Sequence, residues 1–202
     1  MLLALAPVSL YQEGFVALVY AQARASTSTK PKARNRKPRT DQWYVFKSPD
    51  SDFTLQFPRM PDVQDVSEGP ITLIRYYGVT TVDGTTFSIN FHDIGGDPHS
   101  RENNEWSRDL EQTVSDADRA QNRQIVQTHR IGKNIIEAEI WQTEKSGAHL
   151  NYLRRSILRR GRVYTLGCGP AISDKKVDKP LCERFFNSMQ FITQPPKHAM
   201  RR

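Results

Sequence analysis

The chain has 202 residues, of which 37% are hydrophobic, and 29 Lys+Arg stand against 22 Asp+Glu. The positive excess lies in the tails. Setting aside the ten basic residues from Arg24 to Arg39 and from Lys197 to Arg202, together with Glu13, leaves a body of 19 basic and 21 acidic residues. A body that is slightly negative carries no electrostatic footprint for nucleic acid, so no specific nucleic-acid partner is expected from it.

The N-terminus reads as a targeting segment. Phe15 to Tyr20 is an uncharged apolar core, and Ala21-Gln22-Ala23 and Ala23-Arg24-Ala25 follow it as two overlapping A-x-A cleavage patterns. Residues 1–25 are therefore expected to be a signal peptide, with a secreted or periplasmic mature protein in the cell envelope; a short helix packed on the domain is the alternative. The apolar core is too short for a bilayer, which takes about 20 residues. Residues 26–40 hold Ser, Thr, Lys, Arg, Pro and Asn with a single Ala and no large apolar side chain. Such a segment has nothing to bury against the entropy of ordering. It reads as a disordered basic linker, able to rest weakly on an anionic polymer or lipid surface. Residues 41–196 form one domain, and 197–202 a basic tail.

Inside the body, Trp43 to Phe46 is a short aromatic strand, followed by a turn rich in Pro and Asp from Lys47 to Asp52. Phe53-Thr54-Leu55-Gln56-Phe57 alternates strictly and puts three large side chains on one face. Pro58 and Pro61 end it. Ile71 to Val79 and Thr85 to Asp93 flank an Asp83-Gly84 step, which signals a hairpin.

Ser100 to Ala117 reads as a helix capped by Ser100, with Glu102 and Glu105 near its positive end and Trp106, Leu110, Thr113, Val114 and Ala117 on one face. Ile125 to Ile131, Asn134 to Thr143, His149 to Leu158 and Arg162 to Gly167 then read as four strands. Short connections make them antiparallel neighbours. A last amphipathic helix, Val177 to Met189, carries Cys182, Phe185, Phe186 and Met189 at i, i+3, i+4 and i+7. The fold class is α+β, an antiparallel β-sheet covered by helices.

Tyr164, Leu166 and Cys168 alternate onto one strand face, and Cys182 shares a helix face with two phenylalanines. A Cys168–Cys182 disulfide follows if that helix covers that strand. It would close a loop worth about 3 kcal/mol in the chain-entropy model and suit an oxidising compartment. Two buried thiols are the alternative. Without a C-x-x-C spacing or a His beside them in sequence, the pair makes a poor zinc or redox site.

Trp43-Tyr44-Val45-Phe46-Lys47-Ser48-Pro49-Asp50, followed by Phe53-Thr54-Leu55-Gln56-Phe57-Pro58, resembles the opening of PsbP-like domains. The later order of hairpin, helix, antiparallel strands and a C-terminal helix bearing Phe185-Phe186-Asn187-Ser188-Met189-Gln190-Phe191 is similar to that superfamily as well, over about residues 43–192. It includes photosystem II extrinsic proteins and bacterial lipoproteins of the DcrB type. The resemblance implies an α/β/α sandwich that binds other proteins and has no common active site. No binding residue transfers with it, and the cysteine pair is not general in the superfamily.

Three constellations could carry chemistry. His92, Asp93, Asp97 and His99 gather two imidazoles and two carboxylates around a Gly-rich loop, but not at a recognised metal spacing, and a small hydrolase around His92 and Asp97 would depend on them. Glu137 and Glu139 share a strand face, as a paired acid and base would, or as a solvated surface facing arginines. Arg154, Arg155, Arg159, Arg160 and Arg162 crowd one hairpin and make a candidate anion-binding cluster, although alternation sends Arg154 and Arg155 to opposite faces. No G-x-S-x-G, P-loop or H-E-x-x-H occurs. The expectation is a non-catalytic, exported protein-interaction domain without a cofactor or metal, its partner an unidentified envelope protein; anion or nucleic-acid binding through the linker and the arginine hairpin is the alternative.

Overall fold

The computed structural model describes residues 43–50, 52–68, 72–94, 97, 100–101, 105–120, 123–143, 149–171 and 175–192. The expected signal peptide, basic linker, basic tail and His99 lie outside them. Ten strands and two helices follow in the order β1 (Tyr44–Lys47), β2 (Phe53–Phe57), β3 (Asp62–Glu68), β4 (Thr72–Thr80), β5 (Thr85–Asp93), α1 (Arg108–Ala120), β6 (Arg123–Arg130), β7 (Ile135–Thr143), β8 (His149–Arg159), β9 (Arg162–Pro170), α2 (Lys179–Asn187) and β10 (Gln190–Phe191).

Seven strands make one sheet in the order β3-β4-β5-β9-β8-β7-β6, with every neighbouring pair antiparallel. A second sheet, β1-β2-β10, is also antiparallel and packs with α2 on one face of the first. Helix α1 takes the other face. The alternation of β2 explains the first interface: Phe53, Leu55 and Phe57 are fully buried against Phe87, Ile89 and Leu166 of the large sheet and Phe185 of α2. Aromatic edges knit this core, with Phe57 and Phe87 each about 5 Å, ring to ring, from Phe185. On the opposite face Trp106 and Leu110 pack on Leu158, Val163 and Ile136.

Cys168 and Cys182 are joined as a disulfide with Cα atoms 5.5 Å apart, and both are buried. The bond fastens α2 to β9 beneath the small sheet. The turn between β8 and β9 places Arg160 at φ 51° and Gly161 at φ 70°, the left-handed pair that a two-residue hairpin requires.

One expectation is corrected and one strand is added. The first helix begins at Arg108, and its start is capped by Ser107, whose Oγ accepts from Leu110 N at 3.1 Å. Ser100 therefore does not cap it. Glu105, expected in the first turn, lies ahead of the helix and pairs with Arg101 and Lys133 instead. Trp106 also precedes the helix, and its backbone N–H donates to the Lys133 carbonyl. The side chains of Thr113, Val114 and Ala117 lie outside the described part. The prolines do end β2, at Phe57, as expected, but a strand that the sequence reading lacked, β3, opens directly after Pro61. Its sequence, DVQDVSE, has little apolar content, so the strand is made by register with β4 from Asp62↔Gly78 to Glu68↔Thr72 rather than by its own pattern.

Candidate functional site

The crossing of α1 over β6, β7 and β8 holds the most developed polar arrangement among the described residues. It is built around Arg154, which alternation turns toward α1 from the middle of β8. Its two terminal nitrogens donate to the two carboxylate oxygens of Asp118, each at 2.8 Å, and both side chains are buried. Burial pulls the Arg154 guanidinium toward neutrality, but the charge and hydrogen bonds of Asp118 outweigh it and raise its pKa. Asp118 also lies 3.6 Å from Arg123, whose Nε donates to Gln142 Oε1 at 3.3 Å. Tyr152, buried beside this cluster, is held neutral by burial, which raises its pKa.

Above this floor a cleft of about 470 Å³ opens between α1 and the sheet. Trp106, Ile125, Ile136 and Ala138 give it an apolar wall. Its charged lining comprises Arg108, Glu111 and Arg154, and hydroxyls come from Ser115, Thr128 and Ser156. Glu111 forms an ion pair with Arg130. Trp106 Nε1 is buried with no acceptor among the described residues. A cleft of this size and mixed lining can hold a small molecule.

The five arginines of the hairpin are not brought together. Arg154 faces α1 as described; Arg155 faces α2, where its Nε donates to Glu137 Oε1 at 2.5 Å and its Nη1 to Asn187 at 2.8 Å, with its guanidinium over the Phe186 ring. Arg162 lies among Asp50, Asp52 and Asp93, its Nε 2.6 Å from Asp93. The hydrogen bond from Arg162 is the main cause holding the Asp93 carboxyl below its usual range. Arg159 stacks on Phe191 at 4.3 Å, and Arg160 occupies the turn. Arg159, Arg160 and Arg162 do line one shallow cleft of about 290 Å³, but three aspartates line it with them.

Glu137 and Glu139 each have basic partners. Glu137 takes Arg155, and Glu139 accepts from Asn151 at 3.0 Å and Lys179 at 3.2 Å, which lower its pKa in that order. Glu139 is therefore not poised as a raised-pKa acid. Among the described residues no group of three His, Cys, Asp or Glu side chains is placed to hold a metal ion. The pKa of His92 is lowered by burial, against the opposing charge of Asp93.

The Asp118–Arg154 bond was not anticipated from the sequence. An Arg in the buried phase of a strand was its one available signal, since a guanidinium there requires a carboxylate.

No family model matches the chain, and no curated protein does. The structure is similar to the solution structure of cyanobacterial PsbP from Synechocystis sp. PCC 6803, at 12% sequence identity over 80% of this chain and 98% of that one, with a TM-score of 0.47.

Proposed function

We propose that this chain is a non-catalytic protein-interaction domain of the cell envelope, built on an α+β sandwich of the PsbP-like type. The observation that carries the reading is the free edge at β6. This strand ends the seven-stranded sheet, pairs only with β7 among the described strands, and exposes six of its eight side chains. An extended segment of a partner can add to such an edge through its backbone, with side-chain pockets setting specificity. Exposed Val126 on this strand and half-exposed Trp141 on the next offer apolar anchors of the kind that dominate interfaces. The ladder shifts register between Ile125 and Gln127, a bulge that limits indiscriminate edge pairing while leaving a specific partner room.

Export accords with the disulfide, which persists in oxidising compartments. In this reading the basic segment 26–40 is a spacer, resting weakly on anionic polymer or lipid, and the mature chain begins close to Ala23 or Ala25.

The test is site-specific photocrosslinking in the native envelope with a benzophenone amino acid at Gln127 and, as control, at exposed Lys47. One discrete adduct is expected from position 127 that persists in about 0.5 M salt, where phosphate-dependent contacts weaken. Equal adducts from both positions, or loss of the adduct in salt, would overturn the reading.

A further inference from the structure

The cleft beneath α1 shares Ile125 and Thr128 of β6 with the strand of the edge reading but lies on the face of the sheet and has a chemistry of its own. We propose that it binds a small organic acid, with a carboxylate held at the mouth by Arg108 and an apolar body lodged against Trp106, Ile125, Ile136 and Ala138. Its volume of about 470 Å³ lies within the range of small-molecule sites, roughly 300 to 1,000 Å³.

Charge selects the sign of the ligand. Of the three charged side chains that line the cleft, Glu111 is held by Arg130 and Arg154 by Asp118. Arg108 has no acidic partner among the described residues, so the charge left over is a guanidinium. Its planar fork matches a carboxylate with two parallel hydrogen bonds. Arg108 is also the first residue of the 13-residue α1, where the helix dipole adds positive potential at the mouth.

The rest of the wall sets the body. One side is an indole ring and aliphatic side chains, so a flat or branched hydrocarbon is favoured there over a sugar or a nucleotide. The hydroxyls of Ser115, Thr128 and Ser156 leave room for a single further polar group. Beneath, the two-point bond of Arg154 to Asp118 fixes strand to helix, so the cleft is formed before a ligand arrives.

The experiment is calorimetric titration of the full chain with 1-naphthoate and with its uncharged isostere 1-naphthamide, repeated for Arg108→Gln and Ser115→Trp. Saturable binding of 1-naphthoate at one site is expected, at least about tenfold tighter than the amide, as a charge-assisted hydrogen-bond pair supplies. Arg108→Gln should erase that difference, and Ser115→Trp, which fills the cleft, should remove binding of both. Arg108 is exposed, so its variant folds even if the tryptophan is not accommodated. No saturation by 1-naphthoate up to about 10 mM, where affinity is too weak to be a built site, overturns the proposal. Equal affinity for acid and amide overturns it too, as does unaltered selectivity in Arg108→Gln. Crosslinking at position 127 in the presence of 1-naphthoate reads the β6 edge separately, so failure of one reading is distinguishable from failure of the other.

Discussion

Gly169 lies directly against Tyr152 across the β8–β9 ladder: a Cβ built on the glycine would fall 2.5 Å from Tyr152 Cβ and 2.8 Å from its Cα. The nearest atoms include backbone, so the strands themselves would have to part. Gly169→Ala is expected to cost about 1 to 3 kcal/mol, the usual range for an overpacked core. A urea midpoint equal to that of the parent would show that the two strands can separate without penalty.

Asp118 serves two guanidiniums, and its loss should be worse than the loss of either. Asp118→Asn leaves Arg154 and Arg123 facing a neutral amide, whereas Arg154→Met leaves Asp118 its second cation, Arg123. The first should cost about 3 to 5 kcal/mol and the second less. The double change Asp118→Leu with Arg154→Met should recover part of the loss. Denaturation in which Arg154→Met proves the more damaging single change would contradict this order.

The helix start offers a paired test. Ser107→Ala removes the hydroxyl that accepts from Leu110 N and should cost about 1 kcal/mol. Ser100→Ala, half-buried and outside the helix, should cost less than Ser107→Ala because it removes no cap. Comparable thermal shifts for the two variants would return the cap to Ser100.

For the disulfide, Cys182→Ala should destabilise the oxidised protein by about 2 to 4 kcal/mol. In strong reductant the gap should shrink toward the cost of replacing one buried thiol. Non-reducing peptide mapping of protein from its native compartment decides the matter, because two alkylatable thiols there would remove both the bridge and the argument for export.

Burial, then the charge of Asp52, pushes the Tyr164 phenol up to about 12. A phenol raised above its unfolded value near 10 contributes stability that is complete below pH 10. That contribution fades as the pH climbs from 10 toward 12, since the unfolded chain loses its proton first. Tyr164→Phe should flatten the stability profile over this window, and an unchanged slope would assign the alkaline loss to another group.

Much of this architecture was legible because it rests on alternation. Phe53, Leu55 and Phe57 face the core as their spacing requires, β6 to β9 fall within a few residues of their expected bounds, and Arg154 and Arg155 do diverge to opposite faces. What escaped was set by partners distant in sequence. Strand β3 exists through pairing with β4, and no pattern within DVQDVSE announces it. Asp118 lies 36 residues from Arg154 on a different kind of element, and a helix crossing a sheet has no sequence period to reveal it. Ser107 and Ser100 both have the chemistry of a cap, and position alone separates them. The cleft escaped for the same reason, since its walls come from the segment before α1, the helix and three strands.

The small sheet has a consequence for the order of synthesis. Its central strand, β2, is made before every described strand but β1, yet one of its two edges waits for Gln190 and Phe191 near the far end of the described chain. Until then Phe53, Leu55 and Phe57 lack the cover of α2, and β5 lacks its neighbour β9. The core cannot close until α2 and β10 have been made, so the small sheet and its cover come together only once these last described elements are present.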